Sequence, residues 1–356
     1  FAAWLLRTRQ LKAFAVYLRQ LDRAYAAAAA AFLLSGLLGL FVYGISREKL
    51  GQFLVLFFQP ISMWLAAGFI FRRQPKAAPA LLWAVYWLLA IAGIYAAVQY
   101  VTLLGLPPAF WGNSVEPKRA LAFFIHPNFY ALWAAPLLAL LLPDLGERLK
   151  RLTVQAVCRL VLWLCGALGL LLSLSRAGWA GLLAGLIVYL AVAASPKVRQ
   201  AALVGLLLAL LLVLAVPNLR WRLVLPLYGE KSTVSRLSLW RDGWRGVKAS
   251  PFWGLGLAGF AHDYGALNTD PNLDTHNFPH NIFLDFWTET GLPGLVSFIY
   301  LASLCLYRGF RRRAAAPLAL AAALFMLALL IQGQIDNPYF KNDLALVFWL
   351  VLALAL

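Results

Sequence analysis

The sequence predicts an all-α polytopic membrane protein with about ten membrane-spanning helices and one long polar loop between the seventh and the eighth. Three observations lead to this fold class. Hydrophobic residues make up 63% of the 356 residues and charged residues only 13%, whereas soluble domains are roughly half apolar and about a quarter charged. Several uncharged runs reach the roughly 20 residues that a helix needs to cross the hydrocarbon core. Lys and Arg residues are concentrated in alternate connections between these runs.

The spans follow the apolar runs in chain order, seven before the long loop and three after it. They are predicted at residues 24–43, 50–71, 79–105, 120–142, 156–174, 177–194, 199–216, 280–307, 314–334 and 339–356. The chain is thereby divided into an N-terminal membrane region (1–216), the long loop (217–279) and a C-terminal membrane region (280–356). Because the sequence begins at Phe1 without a methionine and stops inside an apolar run, we expect a trimmed chain, with up to twelve spans when untrimmed.

The basic residues predict the orientation. Residues 1–23 mix five Lys and Arg residues with apolar ones, which is typical of a helix lying in the membrane interface. If this end is cytoplasmic, most of the Lys and Arg residues that flank the spans are also cytoplasmic, as the positive-inside rule requires. The long loop then faces the outside. The net charge of +17 therefore reflects topology and contact with membrane lipids, and no nucleic acid partner is expected.

The long loop has internal structure of its own. Residues 235–247 have the spacing of an amphipathic helix and carry both Trp and Arg side chains, which suits the membrane surface. Gly254, Gly256 and Gly259 mark a turn region after this helix. The glycine spacing resembles a dinucleotide fingerprint only loosely, because no βαβ unit surrounds it, so a nucleotide site is rejected.

Two predicted spans are interrupted. The fourth contains the sequence His126-Pro127-Asn128, and the eighth contains Gly291-Leu292-Pro293-Gly294. Proline removes a backbone donor, and non-helical backbone at membrane depth usually lines a cavity or a site. A simple packing kink is the alternative for both. The glycine and proline run is expected to break the eighth span into an outer and a membrane half.

Arginine is the most frequent charged residue on the predicted outer side. The planar guanidinium group offers a fork of donors that matches phosphate oxygens, so several arginines together suit a diphosphate. Contact with anionic lipid headgroups or with carboxylates is the alternative for any one of them. Arg176 has fewer alternatives, because it lies between two spans that are joined by hardly any loop. The candidate diphosphate ligands are Arg119, Arg176, Arg220, Arg222 and Arg236.

Three sequence motifs resemble one known family. The first is His280-Asn281, which is separated by nine residues from Gly291 and then by two more from Gly294, after a long outer loop. The others are S-R-A-G-W at residues 175–179 and S-R-L-S-L-W at residues 235–240. Together they resemble the bacterial O-antigen ligases and the wider superfamily of O-antigen polymerases and protein O-oligosaccharyltransferases. The resemblance extends from about residue 119 to residue 336.

The resemblance implies a membrane-embedded, inverting glycosyltransferase of lipopolysaccharide biosynthesis. Such a ligase moves O-antigen from undecaprenyl diphosphate onto the lipid A core at the periplasmic face of the bacterial inner membrane. It uses no nucleotide sugar and no obligatory metal, so no cofactor is expected. The diphosphate is already a good leaving group, so the enzyme has to stabilise its developing charge and to assist the acceptor hydroxyl.

The motifs also assign roles to residues. His280 is the candidate base, since an ordinary histidine pKa near 6.5 suits proton transfer at neutral pH. Arg176 and Arg236 are the leading diphosphate ligands. Asn281 is expected to position rather than react, and Asp336 either orients His280 or pairs with an arginine. Gly291 and Gly294 complete the motif of His280 as supporting residues.

Other functions remain open at this stage. A polymerase or a protein O-oligosaccharyltransferase would need the same diphosphate site and the same base. A transporter of lipid-linked glycans would bind the diphosphate without chemistry, although the two halves of the chain show no convincing internal repeat. A metal site is disfavoured, because Pro279 separates His276 from His280 and no paired cysteines accompany them. The nearby residues that such a metal site would draw on are His262, Asp270 and Asp274.

Overall fold

A computed structural model describes residues 2–113, 116–225, 231–268 and 276–355. In these ranges the regular structure is helical, without a strand, as the composition predicts. The α-helices in chain order are α1 (Ala2–Arg7), α2 (Leu11–Arg19), α3 (Arg23–Phe41), α4 (Arg47–Phe53), α5 (Gln59–Arg73), α6 (Ala77–Thr102), α7 (Pro127–Leu140), α8 (Leu142–Leu149), α9 (Val154–Leu172), α10 (Arg176–Val192), α11 (Pro196–Ala215), α12 (Pro217–Val224), α13 (Lys231–Ala249), α14 (Gly259–Leu267), α15 (Ile282–Arg311), α16 (Pro317–Gly333) and α17 (Asn342–Ala353).

Six helical stretches in the described ranges are long and apolar enough to cross a membrane. Five of them are α3, α6, α9, α11 and α15, and the sixth is the continuous stretch Arg47–Arg73. The pair α7 and α8, bent by 43°, makes a seventh if it is counted as one span. Helices α10, α16 and α17 lie where further spans are predicted but have only 17, 17 and 12 residues. The predicted count of ten is therefore not confirmed.

The chain forms two compact units. The first comprises Phe1–Ala80, Ser238–Arg308 and Asn337–Leu356, and the second comprises Leu81–Leu237 and Gly309–Asp336. Each unit thus combines separate stretches of the chain.

In the first unit, a proline explains a local change of helix type. Pro60 has no N–H, so it cannot donate to the carbonyl of Leu56 as an α-helix requires. The five residues Leu54–Phe58 form a π-helical turn between α4 and α5. The carbonyl of Leu56 accepts a hydrogen bond of 2.5 Å from the hydroxyl of Tyr339. Buried Tyr339 also packs edge-on against Phe32, which ties α3 and the 54–60 turn to the chain segment before α17.

The N-terminal segment is helical, as predicted, but it forms two short helices. Helices α1 and α2 are separated at Arg9, whose φ of 55° is left-handed and interrupts the helix. Tyr17 of α2 is buried against Phe69 of α5, with the two ring centroids 5.6 Å apart. The segment is therefore packed on the first unit through its apolar side.

In the second unit, small residues bring three helices close together. Gly178, Gly181 and Gly185 lie on one face of α10, three and four residues apart. A Cβ atom at any of them would lie only 2.8–3.0 Å from an atom of α7 or α16. Close approach of backbones through small residues is a common way of joining membrane helices. The glycine face therefore fixes α10, and with it Arg176 at its start.

The predicted interruption of the fourth span is wrong in its position. Helix α7 begins at Pro127, and the preceding residues 120–126 are not helical. Proline at the first helical position is favourable, since its missing N–H needs no partner there. His126 is the N-cap, and its Nδ1 accepts a hydrogen bond of 3.0 Å from the amide of Asn128. The motif starts a helix and does not break one.

Candidate functional site

In the second unit, the turn between α9 and α10 is the centre of an arginine cluster. Leu174 has a left-handed φ of 52°, and Ser175 caps α10 by accepting from the amide of Gly178 at 3.4 Å. The turn leaves the carbonyls of Ser173 and Leu174 outside the regular helix pattern. Both carbonyls accept hydrogen bonds from arginine side chains.

Arg119 reaches this turn from the segment before α7. Its Nε donates to the carbonyl of Ser173 at 2.9 Å, and its Nη2 donates to the amide oxygen of Asn128 at 2.6 Å. The main chain beside it is held too, because the amide of Ala120 donates to the carbonyl of Leu172. Two bonds to different groups orient the planar guanidinium. Asn128 thus has a positioning contact that the sequence alone did not single out, although it belongs to the motif at residues 126–128.

Arg222 and Arg176 complete the cluster. Arg222 of α12 is 5% exposed, and its Nε donates to the carbonyl of Leu174 at 2.9 Å. The carbonyl of Arg222 accepts in turn from Nη1 of Arg176 at 3.3 Å. Arg119, Arg176 and Arg222 therefore meet around the turn at residues 173–176. We name these three side chains the arginine cluster.

Arg220 lies outside the cluster although only one residue separates it from Arg222. Its side chain is exposed, and Nη1 lies 3.5 Å from the carbonyl of Leu214 at the end of α11. Two residues on a helix differ by about 200° in direction, because each residue turns the helix by about 100°. Arg220 and Arg222 therefore face opposite sides of α12.

Arg236 is held at the end of α16. Its Nε donates to the carbonyl of Ile335 at 2.8 Å, and its Nη2 lies 4.0 Å from Oδ2 of Asp336. Nη1 donates to the carbonyl and to the hydroxyl of Ser232 one turn earlier in α13. Asp336 thus makes an ion-pair contact with Arg236.

His280 belongs to the first unit and precedes α15. Its backbone has a left-handed φ of 55°, and its carbonyl accepts from the indole Nε1 of Trp240 at 3.3 Å. Its ring is partly buried and lies 5.5 Å from the ring of His276 in an edge-on arrangement. A left-handed backbone is unfavourable for a residue with a Cβ atom, so the surroundings of His280 hold it there.

Asn281 is the N-cap of α15. Its side-chain oxygen accepts from the amides of Phe283 and Leu284 at 3.1 and 3.2 Å. A cap of this kind satisfies donors that have no partner within the helix and is worth about 1 kcal/mol. Asn281 therefore positions the helix start directly after His280.

Helix α13 supports the same segment. Trp240 and Gly243 lie three residues apart on one face, and a Cβ at Gly243 would lie 2.7 Å from Cβ of Pro279. The helix covers residues 231–249, so a helix is present at 235–247 as predicted, and it is longer at both ends. Its face at Trp240 and Gly243 holds the backbone of Pro279 and His280.

Gly291 breaks α15, as the sequence predicts. Its φ of 66° and ψ of −170° are not helical. The amide of Leu292 donates to the carbonyl of Phe252 at 3.0 Å, and the carbonyl of Thr288 accepts from the amide of Leu255 at 2.6 Å. In an unbroken helix Leu292 would donate to Thr288. The turn at residues 252–255 therefore satisfies both backbone groups that the break releases.

Close packing explains why this break requires glycine. A Cβ at Gly291 would collide with the carbonyl of Phe252, and a Cβ at Gly254 would lie 2.5 Å from the carbonyl of Thr288. Gly254 also has a φ of 70°. Gly294 lies against the side chain of Thr290 on the C-terminal side of the break, where a Cβ would not fit. The three glycines thus join the long loop to α15.

Glu289 is a structural residue of this region that the sequence interpretation missed. Its side chain is fully buried and accepts from the amides of Ala258 and Phe260 at 2.6 and 3.3 Å. These amides belong to the start of α14, where negative charge is favourable. A carboxylate inside a predicted span was the signal that could have identified it, because such a residue needs a specific partner.

The described part of the chain contains no group of three or more His, Cys, Asp or Glu side chains that could hold a metal ion. His262 is exposed and contacts Asp263, with 2.7 Å between Nδ1 and Oδ1. Asp270 and Asp274, which the alternative metal site would need, lie outside the described residues.

Comparison with known proteins gives one family. Residues 160–299 match the family model described as O-antigen ligase. The matched segment is less than half of the chain and contains Arg176, Arg222, Arg236 and His280. Comparison with curated proteins gave no match. Over residues 160–299 the chain is similar to the O-antigen ligase family.

Proposed function

We propose that the chain is a glycosyltransferase that moves O-antigen from undecaprenyl diphosphate to a hydroxyl group of the lipid A core. The observation that carries the proposal is the arginine cluster, which gathers Arg119, Arg176 and Arg222 at one turn. The family match to residues 160–299 supports a lipid-linked glycan as the substrate class. A lipid-linked glycan in a membrane setting is common to the superfamily.

The proposed reaction is a single displacement. The acceptor oxygen attacks the anomeric carbon, the bond from that carbon to the diphosphate oxygen breaks, and the electron pair leaves with the diphosphate. The acceptor proton passes to His280 and then to water. The products are the glycosylated lipid A core and undecaprenyl diphosphate, and the configuration at the anomeric carbon is inverted.

The arginine cluster is proposed to stabilise the leaving diphosphate. Charge builds up on its oxygens as the bond breaks, and guanidinium groups that are already oriented need no rearrangement at that moment. Arg119 and Arg222 are held by bonds of 2.9 Å to backbone carbonyls. Arg236 is proposed as a further ligand, because Oδ2 of its partner Asp336 lies 4.0 Å from Nη2, which is beyond hydrogen-bond distance.

The predicted orientation belongs to the same proposal. We infer that the protein has about ten spans in the bacterial inner membrane, with α12, α13 and α14 on the periplasmic side. The short helices α10, α16 and α17 are counted as spans here. Support comes from their positions in the predicted apolar runs and from the placement of basic residues.

The test is a reconstitution with purified protein in detergent. It contains undecaprenyl diphosphate carrying O-antigen and lipid A core, without any nucleotide. We expect glycosylated lipid A core to form, and to disappear when Arg176 is replaced by alanine. The matched control is Arg47→Ala, which removes an exposed arginine on the predicted outer side. Longer carrier-linked glycan without any modified lipid A core would instead identify a polymerase, and an absence of both products would contradict the proposal.

A further inference from the structure

A second polar site lies at the other end of α9 and α10, the two helices whose connecting turn is at the arginine cluster. Helix α9 runs from Val154 to Leu172 beside the cluster, and α10 runs back from Arg176 to Val192. Val154 and Val192, at the far ends, line a cavity of about 1110 Å³. The 19 residues of α9 span about 28 Å at 1.5 Å each, which is close to the thickness of the hydrocarbon core. The cavity and the cluster thus belong to opposite membrane surfaces.

The cavity combines a charged rim with an apolar wall. The wall includes Leu140, Val192, Pro317 and Leu318. Four basic side chains and two acidic ones line the rim. These charged residues are Asp144, Glu147, Arg148, Lys150, Arg151 and Arg313. A charged rim beside an apolar wall, at the level of a membrane surface, suits a ligand that has both a charged group and a hydrocarbon chain.

The acidic residues are already engaged, so the rim is basic. Glu147 contacts Lys150 at 2.5 Å. Asp144 contacts Arg148 at 3.6 Å and also Arg159 at 3.2 Å, beneath the cavity. Arg159 is nearly buried and stacks over Trp83, with 4.3 Å from its guanidinium carbon to the ring centroid. This buried network gives the rim a rigid base.

Two arginines of the rim remain available for an anion. In the described part of the chain, the side chain of Arg151 makes no hydrogen bond or ion pair, and that of Arg313 donates only to the carbonyl of Phe310, at 3.0 Å. A guanidinium fork fits phosphate oxygens well. Basic pockets between membrane helices on the cytoplasmic side are typical sites for phosphate-bearing lipid headgroups.

We propose that this cavity binds an anionic phospholipid of the leaflet at that end, which is the cytoplasmic leaflet in the predicted orientation. Arg151 and Arg313 contact the phosphodiester, and the acyl chains lie along the wall formed by Val192, Pro317 and Leu318. A free phosphate ion would leave this apolar wall without a partner. The cavity is also larger than the roughly 300–1,000 Å³ that holds a drug-sized ligand, far more than one phosphate requires.

Binding is measured on the purified full chain after lipid removal in detergent. The probe is phosphatidylglycerol, which carries one negative charge, and bound lipid is counted by native mass spectrometry. Phosphatidylethanolamine, which is zwitterionic, and inorganic phosphate are the comparison ligands. The variant is Arg151→Gln/Arg313→Gln. The control is Arg7→Gln/Lys197→Gln, which removes two positive charges from exposed residues outside the cavity.

We expect the rim variant to bind phosphatidylglycerol at least about tenfold more weakly than the control, which corresponds to about 1.4 kcal/mol. Ala193→Trp fills the cavity while the charges stay, and it should weaken binding as well. If the rim variant does not fold, the binding measured for Ala193→Trp tests the proposal instead. Equal binding by rim variant and control, equal binding of phosphatidylethanolamine, or displacement of the lipid by an equal concentration of inorganic phosphate would each overturn the proposal.

Discussion

The side chain of Arg222 donates to the carbonyl of Leu174 while its own carbonyl accepts from Arg176. The main chain of one arginine therefore holds the side chain of another, and both are tied to the same turn. This arrangement explains how three positive side chains gather in one place. Each is held by backbone carbonyls, whose partial negative charge offsets part of the repulsion between guanidinium groups.

Arg176→Lys should lower transfer although it keeps the positive charge. Lysine lacks the planar fork, so at least one charge-assisted hydrogen bond to the diphosphate is lost, worth about 1.5–3 kcal/mol. We expect kcat/KM to fall by about 10- to 100-fold in the reconstituted reaction. The control is Arg47→Lys, at an exposed position. Equal turnover of both variants would leave Arg176 with a structural role.

His280→Ala should abolish most transfer and spare donor binding. A positioned general base contributes about 100- to 10,000-fold, and its loss should appear in kcat. Retention of undecaprenyl diphosphate, measured by native mass spectrometry, should stay near that of the wild type. His262→Ala is the matched control, since that side chain is 85% exposed. Loss of donor binding in His280→Ala would assign the histidine to the diphosphate site.

Gly291→Ala should destabilise the protein. The combination of φ 66° and ψ −170° is adopted almost only by glycine and costs about 1–3 kcal/mol for a residue with a Cβ atom, and the new methyl group collides with the carbonyl of Phe252. The thermal unfolding midpoint in detergent should fall. Gly205→Ala provides the comparison, because it lies in α11 with open space around it, and it should raise or preserve the midpoint. A normal midpoint for Gly291→Ala would contradict the packing described for the break.

The orientation is tested by labelling single cysteines in a cysteine-free background. Asn268→Cys, at the end of α14, should react with a membrane-impermeant thiol reagent added to intact cells with a permeable outer membrane. Lys197→Cys, at the exposed start of α11, should react only after the inner membrane is opened. The reverse pattern would place the proposed site on the cytoplasmic side.

Asp22 should make the stability of the protein depend on pH. Burial of the carboxyl group opposes its ionisation, but the hydrogen bond and charge of Arg308 and the amides of Tyr25 and Ala24 outweigh it, so the pKa of Asp22 lies below its ordinary value of 3.8. A lowered pKa stabilises the folded state above pH 3.8, and this contribution is lost as the pH falls through the folded-state pKa.

The comparison for Asp22 is Asp22→Asn, which keeps a capping side chain at the start of α3 and removes the charge. Its unfolding midpoint should lie below that of the wild type at pH 7, and the difference should shrink as the pH falls below 3.8. Arg9→Gln, at an exposed position in the same segment, should show no such convergence. If the difference in unfolding midpoint between Asp22→Asn and the wild type stays constant down to pH 3, the charge of Asp22 is not its cause.

Elements that depend on local chemistry were predictable from the sequence. The break at Gly291 follows from glycine and proline inside an apolar run, and the helix at 231–249 follows from amphipathic spacing. The start of α7 at Pro127 was placed too early, because residues 120–125 are as apolar as the span itself. The hydropathy of a segment indicates whether it favours the membrane. It does not show whether the buried backbone is helical.

The site was predictable in part. The sequence identified the arginines as a class but could not decide between Arg220 and Arg222, since that depends on which face of α12 meets the turn at Leu174. The contact of Asn128 with Arg119 and the burial of Glu289 also depend on packing between distant segments. The roles of His280 and of the arginines in transfer stay predictions.

The hydrogen bond from Tyr339 to Leu56 joins residues 283 positions apart. It can therefore form only late in translation. At about 5–20 residues per second, the ribosome makes Tyr339 roughly 15–60 s after Leu56. Until then the Leu56 carbonyl lacks the partner that Tyr339 provides in the folded protein. The first unit therefore closes only near the end of translation. The insertion machinery meets its early helices as an incomplete structure for most of synthesis.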